Sequence, residues 1–388
     1  MWKQCRPNAK PMDVDVNDVR SYEPIWGETH KLEELVDTFI CVPLETTDAS
    51  LVGCVDRIAV SHDTIFVLDN KKSKSVRHFD IKGHYLGDVG KIGNGPFEYV
   101  EPTDMYVNDS IVLINDRWQN RLMCYDLWGS PKWEKKVNFF CDFVGMAPDG
   151  SLIFYNFGRG NYHVSALSNH VIWSCDTALN ITNYGGLEDF EKWGNRTDYS
   201  ALHNCDKRLY CCNMITDTIY RVDAKDKLTA VMHVKTMEYE DILTMEEKKV
   251  CVGNYNNGRT ARLGFYNIIG DTLATFAVFK YPYQSITFVN LKTGKKFGYY
   301  EATDRTSQMS RLIWLGLIRC VYNGWCVADI SPNRFATEEK RKLLQTEGYY
   351  DGAPDWVREN DMKILESVTE ESNPVLIFYK MKPWGGRA

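Results

Sequence analysis

The chain has 388 residues, of which 44% are apolar, 25% charged and 13% aromatic, and its formal net charge is −6. This apolar fraction is sufficient for a large core and too high for a disordered protein. The acidic balance argues against a general nucleic-acid binder, which carries a clustered basic excess. No run of about 18 apolar residues is present, so the sequence predicts no transmembrane segment.

The first part of the chain divides into a polar stretch and an apolar run. Residues 1–35 are polar, and we expect them to form a leader or linker outside the folded domain. The apolar run Phe39–Leu44 follows and has no repeat unit of its own. Because a ring of repeats must close, we expect this run to pair with the last strand of the chain.

An internal repeat is the strongest pattern in the sequence. Asp63–Asn70 matches Asp109–Asp116 with an offset of 46 residues. The next segments, Val76–Gly83 and Leu122–Gly129, keep that offset. Each unit reads as several short strands joined by polar turns. Units of roughly 40 to 50 residues with this pattern are typical of propeller blades, since one blade cannot bury both of its faces alone.

Fainter copies follow later in the chain. Three of them lie at 146–176, 209–223 and 270–294. The last copy begins within 312–328, residues 333–372 read as helical, and a final strand lies at 374–380. The sequence therefore predicts an all-β fold, a single six-bladed β-propeller over residues 36–382, with residues 333–372 as a short helical insertion in the final blade.

The segments Gly90–Pro102 and Asn115–Gly129 resemble an NHL-type propeller repeat. In that pattern a glycine-rich turn with an aromatic residue and a proline leads to a strand that ends near Asp. An Asn-Arg pair, an apolar strand and an aromatic-Asp-x-x-Gly turn follow. The resemblance implies an NHL-like propeller.

Three further motifs narrow this resemblance. The order of Pro43-Leu44-Glu45, Gly93–Tyr99 and Asn373–Leu376 resembles the six-bladed β-propeller family of Bacteroides-type bacteria, whose members are mostly predicted surface or periplasmic lipoproteins of unknown function. The resemblance spans roughly residues 37–381 and is densest in the first two blades. Phe97 stands where that family often has a second glycine.

The resemblance implies a periplasmic or cell-surface protein with a lipid anchor at a cysteine near its start. Cys5 is a candidate by position only, and a buried or incidental cysteine is the alternative. The segment Met1–Cys5 lacks the apolar core of a signal peptide. A cytoplasmic protein and an exported protein whose leader has been removed both fit this observation.

The eight histidines are scattered without metal-motif spacing, and we expect no metal site and no cofactor. His78 and His84 flank one turn and are interpreted as surface or turn histidines. Asp13–Asp18 begins like a calcium loop but lacks the glycine and glutamate that complete one. No nucleophile elbow, phosphate loop or dinucleotide-binding motif is present, so we predict no catalytic residues.

Arginine and aromatic residues in the polar loops form the candidate ligand-binding set. Flat aromatic faces stack on ligands, and guanidinium groups bind carboxylates, so loops of this kind suit a glycan, a peptide or a partner protein. The set consists of Arg117, Trp118, Arg159, Tyr162, Tyr184, Trp193, Arg259, Arg262, Tyr281, Tyr283 and Arg311.

These features favour a non-catalytic binding or scaffold propeller, exported, over an enzyme. The alternative is a propeller enzyme, a lyase or hydrolase with or without a metal, whose catalytic residues come from several blades and so form no motif. A third interpretation is a structural module that docks through the helical segment 333–372.

Overall fold

The computed structural model describes residues 9–26, 36–156, 160–168, 170–187, 201–213, 217–236, 261–280, 283–302, 318–351 and 355–382. These residues form an all-β propeller fold, and their helices are few and short. The predicted all-β propeller class is confirmed. The chain divides into two compact units, one of residues 1–23 and 90–264, the other of residues 24–89 and 265–388.

The strands are numbered along the chain. Those of the first unit are β1 (Lys10–Pro11), β2 (Asp13–Asp15), β3 (Arg20–Tyr22), β9 (Lys91–Ile92), β10 (Glu98–Tyr99), β11 (Asp104–Val107), β12 (Val112–Asp116), β13 (Arg121–Tyr125), β14 (Pro131–Lys136), β15 (Phe143–Met146), β16 (Leu152–Tyr155), β17 (His170–Cys175), β18 (Ile181–Leu187), β19 (Leu202–Cys205), β20 (Arg208–Asn213), β21 (Thr218–Ala224) and β22 (Lys227–Val234).

The second unit holds the other strands and the two α-helices. Its elements are β4 (Val36–Pro43), β5 (Arg57–Ser61), β6 (Thr64–Asp69), β7 (Ser75–Asp80), β8 (Tyr85–Asp88), most of β23 (Arg262–Ile269), β24 (Leu273–Lys280), β25 (Tyr283–Asn290), β26 (Lys296–Ala302), β27 (Cys320–Tyr322), β28 (Trp325–Ile330), α1 (Glu338–Leu344), α2 (Asp355–Ser367) and β29 (Val375–Met381). Short 3₁₀ turns at Ser165–Leu167 and Pro332–Arg334 complete the regular structure of the described residues.

The prediction of six blades is wrong. Four separate sheets are each built on four consecutive strands: β5–β8, β11–β14 and β23–β26 contain no other strand, and β15–β18 also carries β1 at its outer edge. This gives a four-bladed arrangement. The remaining strands are not divided into two further sheets of four. Sequence repeats reveal strands and turns, whereas the border of a sheet depends on which backbone edges continue to pair, and short strands outside the repeat extend some of these edges.

Burial decreases from the inner to the outer strands of a sheet, and the sequence shows why. In the β11–β14 sheet, the apolar strands β11 and β12 are buried along their whole length. The outermost strand, β14, reads Pro-Lys-Trp-Glu-Lys-Lys and is exposed or half-buried. Neighbouring strands of this sheet pair in antiparallel register. The core of the first unit therefore forms along the inner strands.

Aromatic rings fill the core of the first unit. The Phe139 ring packs edge-on against Phe154 and Trp173, with ring centroids 4.9 Å and 5.2 Å away. All three side chains are buried. Edge-to-face contacts of this kind stabilise a core beyond the area that they bury.

One type of turn recurs at the outer end of three sheets. Asp80, Asp126 and Asp176 each accept hydrogen bonds from the backbone N–H groups two and four residues further on. The carboxylate thus fixes the turn between the third and fourth strands of the sheet. This geometry explains the aromatic-Asp-x-x-Gly pattern of the repeat.

The strand that closes the second unit comes from far along the sequence. β4 pairs antiparallel with β29, so that Val42 lies opposite Leu376 and Ile40 opposite Phe378. The pairing predicted for Phe39–Leu44 is confirmed. β29 in turn pairs with β28, which places β4 at the outer edge of a β27-β28-β29-β4 group.

The buried side chain of Asn373 secures this closure. Its Nδ2 donates to the carbonyl oxygens of Glu45 at 2.6 Å and Ser50 at 2.8 Å. Its Oδ1 accepts from the backbone N–H of Val52 at 2.7 Å, and its own N–H donates to the Thr46 hydroxyl at 2.9 Å. One amide therefore holds the loop after β4 to the start of β29.

The predicted leader contains regular structure where it is described. β1 pairs in parallel with β18, and β2 and β3 pair in parallel with β22. The domain boundary at residue 36 stays a prediction, but residues 9–23 already belong to the sheets of the first unit.

The helical segment lies between the paired strands β28 and β29. Arg341 in α1 donates from its guanidinium to the carbonyl oxygens of Ala336, Leu365 and Val368, which joins α1 to the end of α2. The Tyr350 hydroxyl donates to Asp361 at 2.9 Å. Within the described ranges, no helix has the length and apolar character needed to cross a membrane.

Replacing the Asn373 side chain should destabilise the protein. In Asn373→Ala, buried backbone groups lose their partners, and we expect the free energy of unfolding to fall by about 2 to 4 kcal/mol. Chemical denaturation measures this loss. The matched control is Asn94→Ala, which removes an exposed amide and should change stability by less than about 0.5 kcal/mol. Equal effects of the two substitutions would contradict the role of Asn373.

Candidate binding site

Three loops meet at one end of two neighbouring sheets of the first unit. Residues 117–120 join β12 to β13, and residues 137–142 join β14 to β15. Residues 160–168 belong to the connection between β16 and β17. The pairs Arg121↔Lys136 and Phe143↔Tyr155 show that these loops leave their strands at the same end. We call the three loops the rim.

The Asp116 carboxylate fixes the backbone of the first rim loop. It is fully buried, and its Oδ1 accepts hydrogen bonds from the N–H groups of Trp118 at 2.9 Å and Gln119 at 3.0 Å. Its Oδ2 accepts from the N–H of Val100 at 2.7 Å. The backbone of the loop is therefore fixed without help from the Trp118 side chain, which is 59% exposed.

Two asparagines hold the second rim loop. Asn115 donates from Nδ2 to the carbonyl oxygen of Cys141 at 3.1 Å. Asn161 makes a reciprocal pair with Phe140, donating to its carbonyl oxygen at 2.9 Å and accepting from its N–H at 2.7 Å. Both asparagine side chains are buried, so interior hydrogen bonds tie the second rim loop to the end of β12 and to the third rim loop.

The third rim loop presents Tyr162 to solvent. Its side chain is 52% exposed and lies between two anchored residues, Asn161 and His163. His163 donates from Nε2 to the carbonyl oxygen of Asn138 at 2.9 Å, and its ring lies 5.1 Å from that of Phe140. Tyr162 thus stands on a loop whose neighbours are held by the second rim loop.

Arg117 carries a charge that is already balanced. Its Nη1 lies 2.5 Å from the Asp142 carboxylate, and both residues are half-buried. The guanidinium carbon lies 5.9 Å from the centre of the Trp118 ring, within the range of a cation–π contact. The ion pair therefore joins the first and second rim loops beside an exposed indole.

The second rim loop contains one cysteine, Cys141. Cys141 is buried, and burial raises the pKa of its thiol well above the ordinary value. The thiol donates to Asn115 Oδ1 at 3.4 Å. Since the thiolate is the reactive form, this cysteine serves packing and hydrogen bonding.

The other predicted site residues are distributed differently. Tyr184 lies in β18, where its ring packs against His170 at 4.3 Å and its carbonyl oxygen accepts from the Met12 N–H, so it belongs to a sheet and not to the rim. Arg262 is the first residue of strand β23, at the end of the first unit, and Tyr283 lies in strand β25 of the second unit. Five predicted residues lie outside the described residues: Arg159, Trp193, Arg259, Tyr281 and Arg311.

Sequence reasoning missed the residues that build the rim. Asp142 and Asn161 stand in loops without any repeat, so no pattern indicates that one pairs with Arg117 and the other with Phe140. Asn115 and Asp116 carried a signal, because the pair ends a strand in the segment that resembles an NHL repeat.

The histidines show no metal-site geometry where they are described. Across the described ranges, no group of three or more His, Cys, Asp or Glu side chains is arranged to hold a metal ion. His84 contacts the turn carboxylate of Asp80 at 2.8 Å. His78, interpreted from sequence as a surface or turn residue, instead lies buried in β7 with its ring stacked on Phe66.

A family model described as "Domain of unknown function (DUF4934)" matches residues 24–380. The chain belongs to this family. No curated protein matches the sequence.

One solved structure shows the same fold, and a second is more distant. A protein of Bacteroides fragilis NCTC 9343, described as a "putative exported protein", is 18% identical, with a TM-score of 0.73 over 94% of this chain and 100% of that one. A DUF4221 family member from Bacteroides vulgatus is 10% identical, with a TM-score of 0.49 over 91% and 99% of the two chains. At such identities the first similarity shows a shared fold alone, and the second is too distant to support an argument.

Replacing Asp116 should lower the free energy of unfolding much more than replacing the exposed Trp118. Asp116→Ala removes a buried carboxylate that accepts from the N–H groups of Val100, Trp118 and Gln119, and we expect it to lower the free energy of unfolding by about 2 to 3 kcal/mol. Trp118→Ala removes an exposed ring and should change it by less than about 0.5 kcal/mol. Urea denaturation of both variants measures the difference. A large loss for Trp118→Ala would mean that the indole supports the fold.

Stability should decrease with acid because of His78. Burial lowers the pKa of His78 below its ordinary value of 6.5, so the unfolded chain binds a proton before the folded chain does. The stability that this difference contributes is fully present above the ordinary pKa of 6.5 and is lost as the pH falls from there towards the lowered pKa of the folded chain. For one group the slope is at most about 1.4 kcal/mol per pH unit.

Denaturation of the wild type and of His78→Gln between about pH 7 and about pH 5 measures that slope. We expect a smaller slope in the variant, although not zero, since burial also lowers the pKa of His170. The same slope in both proteins would show that His78 does not contribute.

Proposed function

We propose that this chain is an exported binding protein that holds a sugar on the aromatic faces of the rim. The observation that carries the proposal is the exposed Trp118 ring on a loop whose backbone is fixed by buried Asp116. A ring presented by a loop with a fixed backbone binds with a smaller ordering cost, which is the usual basis of recognition by pre-organised aromatic residues.

The rim offers little to an extended peptide backbone. The N–H groups of Trp118 and Gln119 are taken by Asp116, and the carbonyl oxygens of Phe140 and Cys141 are taken by asparagine side chains. Peptides that add to a surface by main-chain pairing need such groups to be available. Recognition through side-chain faces, as a sugar ring allows, is therefore favoured over recognition of a peptide main chain.

The charge at the rim favours a neutral ligand. Arg117 is paired with Asp142 at 2.5 Å, so the Asp142 carboxylate would repel an acidic ligand unless the pair opened. Breaking a partly buried pair leaves one charge without compensation, at a substantial cost. A neutral sugar can instead bind with its hydroxyl groups next to the pair and its flat face on Trp118.

An exported location is part of the proposal. Its support is the shared fold with the B. fragilis protein described as a "putative exported protein", together with the sequence resemblance to predicted lipoproteins. A lipid anchor at Cys5 stays a prediction, because this residue lies outside the described residues.

Binding to a glycan array, followed by titration of the best glycan, tests the proposal. Trp118→Ala should weaken binding at least about tenfold, the loss expected when a central aromatic contact is removed. The matched control is Trp128→Ala, since this indole is 74% exposed and lies in the turn between β13 and β14, away from the rim. The control should bind like the wild type.

Two results would overturn the proposal. The first is equal weakening by Trp118→Ala and Trp128→Ala, which would place the contact elsewhere. The second is the absence of glycan binding together with binding on a peptide array that Trp118→Ala abolishes, which would assign the rim to peptides.

A further inference from the structure

Residues 10–22 contribute three short strands that pair with β18 and β22, two strands of the first unit that each lie at the edge of a sheet. Lys10 and Pro11 lie opposite Asn183 and Tyr184 of β18. β2 runs along the start of β22 and β3 along its end. All these pairings are parallel, and the segment is the outermost layer at both edges.

Two side chains anchor the segment. Met12 is 6% exposed and packs into the core of the first unit, and Tyr22 is also 6% exposed. The chain on either side of them lies near the surface, and Val14 and Val16 are 42% and 55% exposed. A segment with few buried side chains opens at a lower free energy than the inner strands of the same sheets.

The seat for Met12 has a defined shape. A Cβ atom added at Gly185 of β18 would lie only 3.3 Å from the Met12 sulfur. The glycine therefore leaves space for the methionine, while the N–H of Met12 donates to Tyr184 at 2.8 Å. The edge accepts a strand with a long apolar side chain at this position.

Opening the segment would leave the edges of β18 and β22 without a neighbour. Such edges bind another extended chain, because their N–H and C=O groups point outward. The strand that fits them best is the one that already occupies them, and every copy of the protein carries it. Exchange of an identical element between copies needs no new contact surface.

We propose that the edges of β18 and β22 form a strand-exchange site that accepts residues 10–22 of a second copy. Asp13 lies opposite Lys227 in this register, so the incoming strand also meets a complementary charge. The partner is a second copy of this chain, and the product is a dimer that exchanges its outermost strands. This inference is independent of the sugar-binding proposal.

Cysteine cross-linking tests the exchange. The Met12 Cβ lies 3.6 Å from the position of a Cβ at Gly185, within the range of about 3.5 to 4.5 Å that a disulfide requires. Met12→Cys and Gly185→Cys are prepared as two separate full-length proteins, mixed and oxidised with copper phenanthroline. Exchange between copies should give a disulfide-linked product of twice the 44.8 kDa chain mass on a non-reducing gel.

The controls use the same oxidation. The wild type and each single variant alone report linkage through the twelve native cysteines. The double variant Met12→Cys/Gly185→Cys reports whether the two sulfurs can join in this register, within one copy or between exchanged copies. A mixture that gives no more linked product than the controls, while the double variant links fully, overturns the proposal.

A second measurement applies if Gly185→Cys does not fold. A fluorescent peptide of residues 9–26 is titrated with the full-length wild type and followed by anisotropy. Exchange predicts saturable binding that weakens at least tenfold when the peptide carries Met12→Asp and Tyr22→Asp. Absence of saturable binding, or equal binding of both peptides, overturns the proposal.

Discussion

The pairing of β4 with β29 is the constraint on which the second unit depends. It joins residues more than 330 positions apart, and Asn373 fixes it with a single buried carboxamide. Each hydrogen bond of such an amide contributes modestly, but leaving its partners unmet in the interior is costly. We therefore expect loss of these hydrogen bonds to disrupt three parts of the second unit together: the loop after β4, the start of β29 and the edge of the closing group.

The motifs that carry the family resemblance are structural. Asn373 secures the closing strand, and the Glu45 carboxylate accepts the N–H of Tyr85 at 2.8 Å beside that strand. In the glycine-rich motif, Glu98 accepts the N–H of Gly95 at 2.8 Å, and Phe97 adopts a positive φ of 55°. The Tyr125 hydroxyl donates to the Phe97 carbonyl and holds this unusual conformation. Membership of the DUF4934 family thus reports how the chain folds and says little about its ligand.

The all-β class and the closing strand could be predicted because both follow from local patterns. Alternation, turn residues and a repeated Asp specify strands such as β6 and β12 wherever they lie. The number of separate sheets could not be predicted, since it depends on backbone edges that pair over long distances. The contacts that build the rim could not be predicted for the same reason, because Asp142 and Asn161 act only through contacts between loops. The ligand-binding role of Arg117 and Trp118, which stand in a loop of the repeat, stays a prediction.

The helical segment between β28 and β29 has a consequence for how such chains change over time. Ile330 and Val375 lie opposite each other in the sheet, so the detour starts and ends at one point of the closing group. The entropic cost of closing a loop grows only slowly with its length, by about 0.6 kcal/mol for each doubling. Whole elements can therefore be inserted or replaced between Ile330 and Val375 in the course of evolution. An engineered fusion at this position would likewise leave the strand order unchanged.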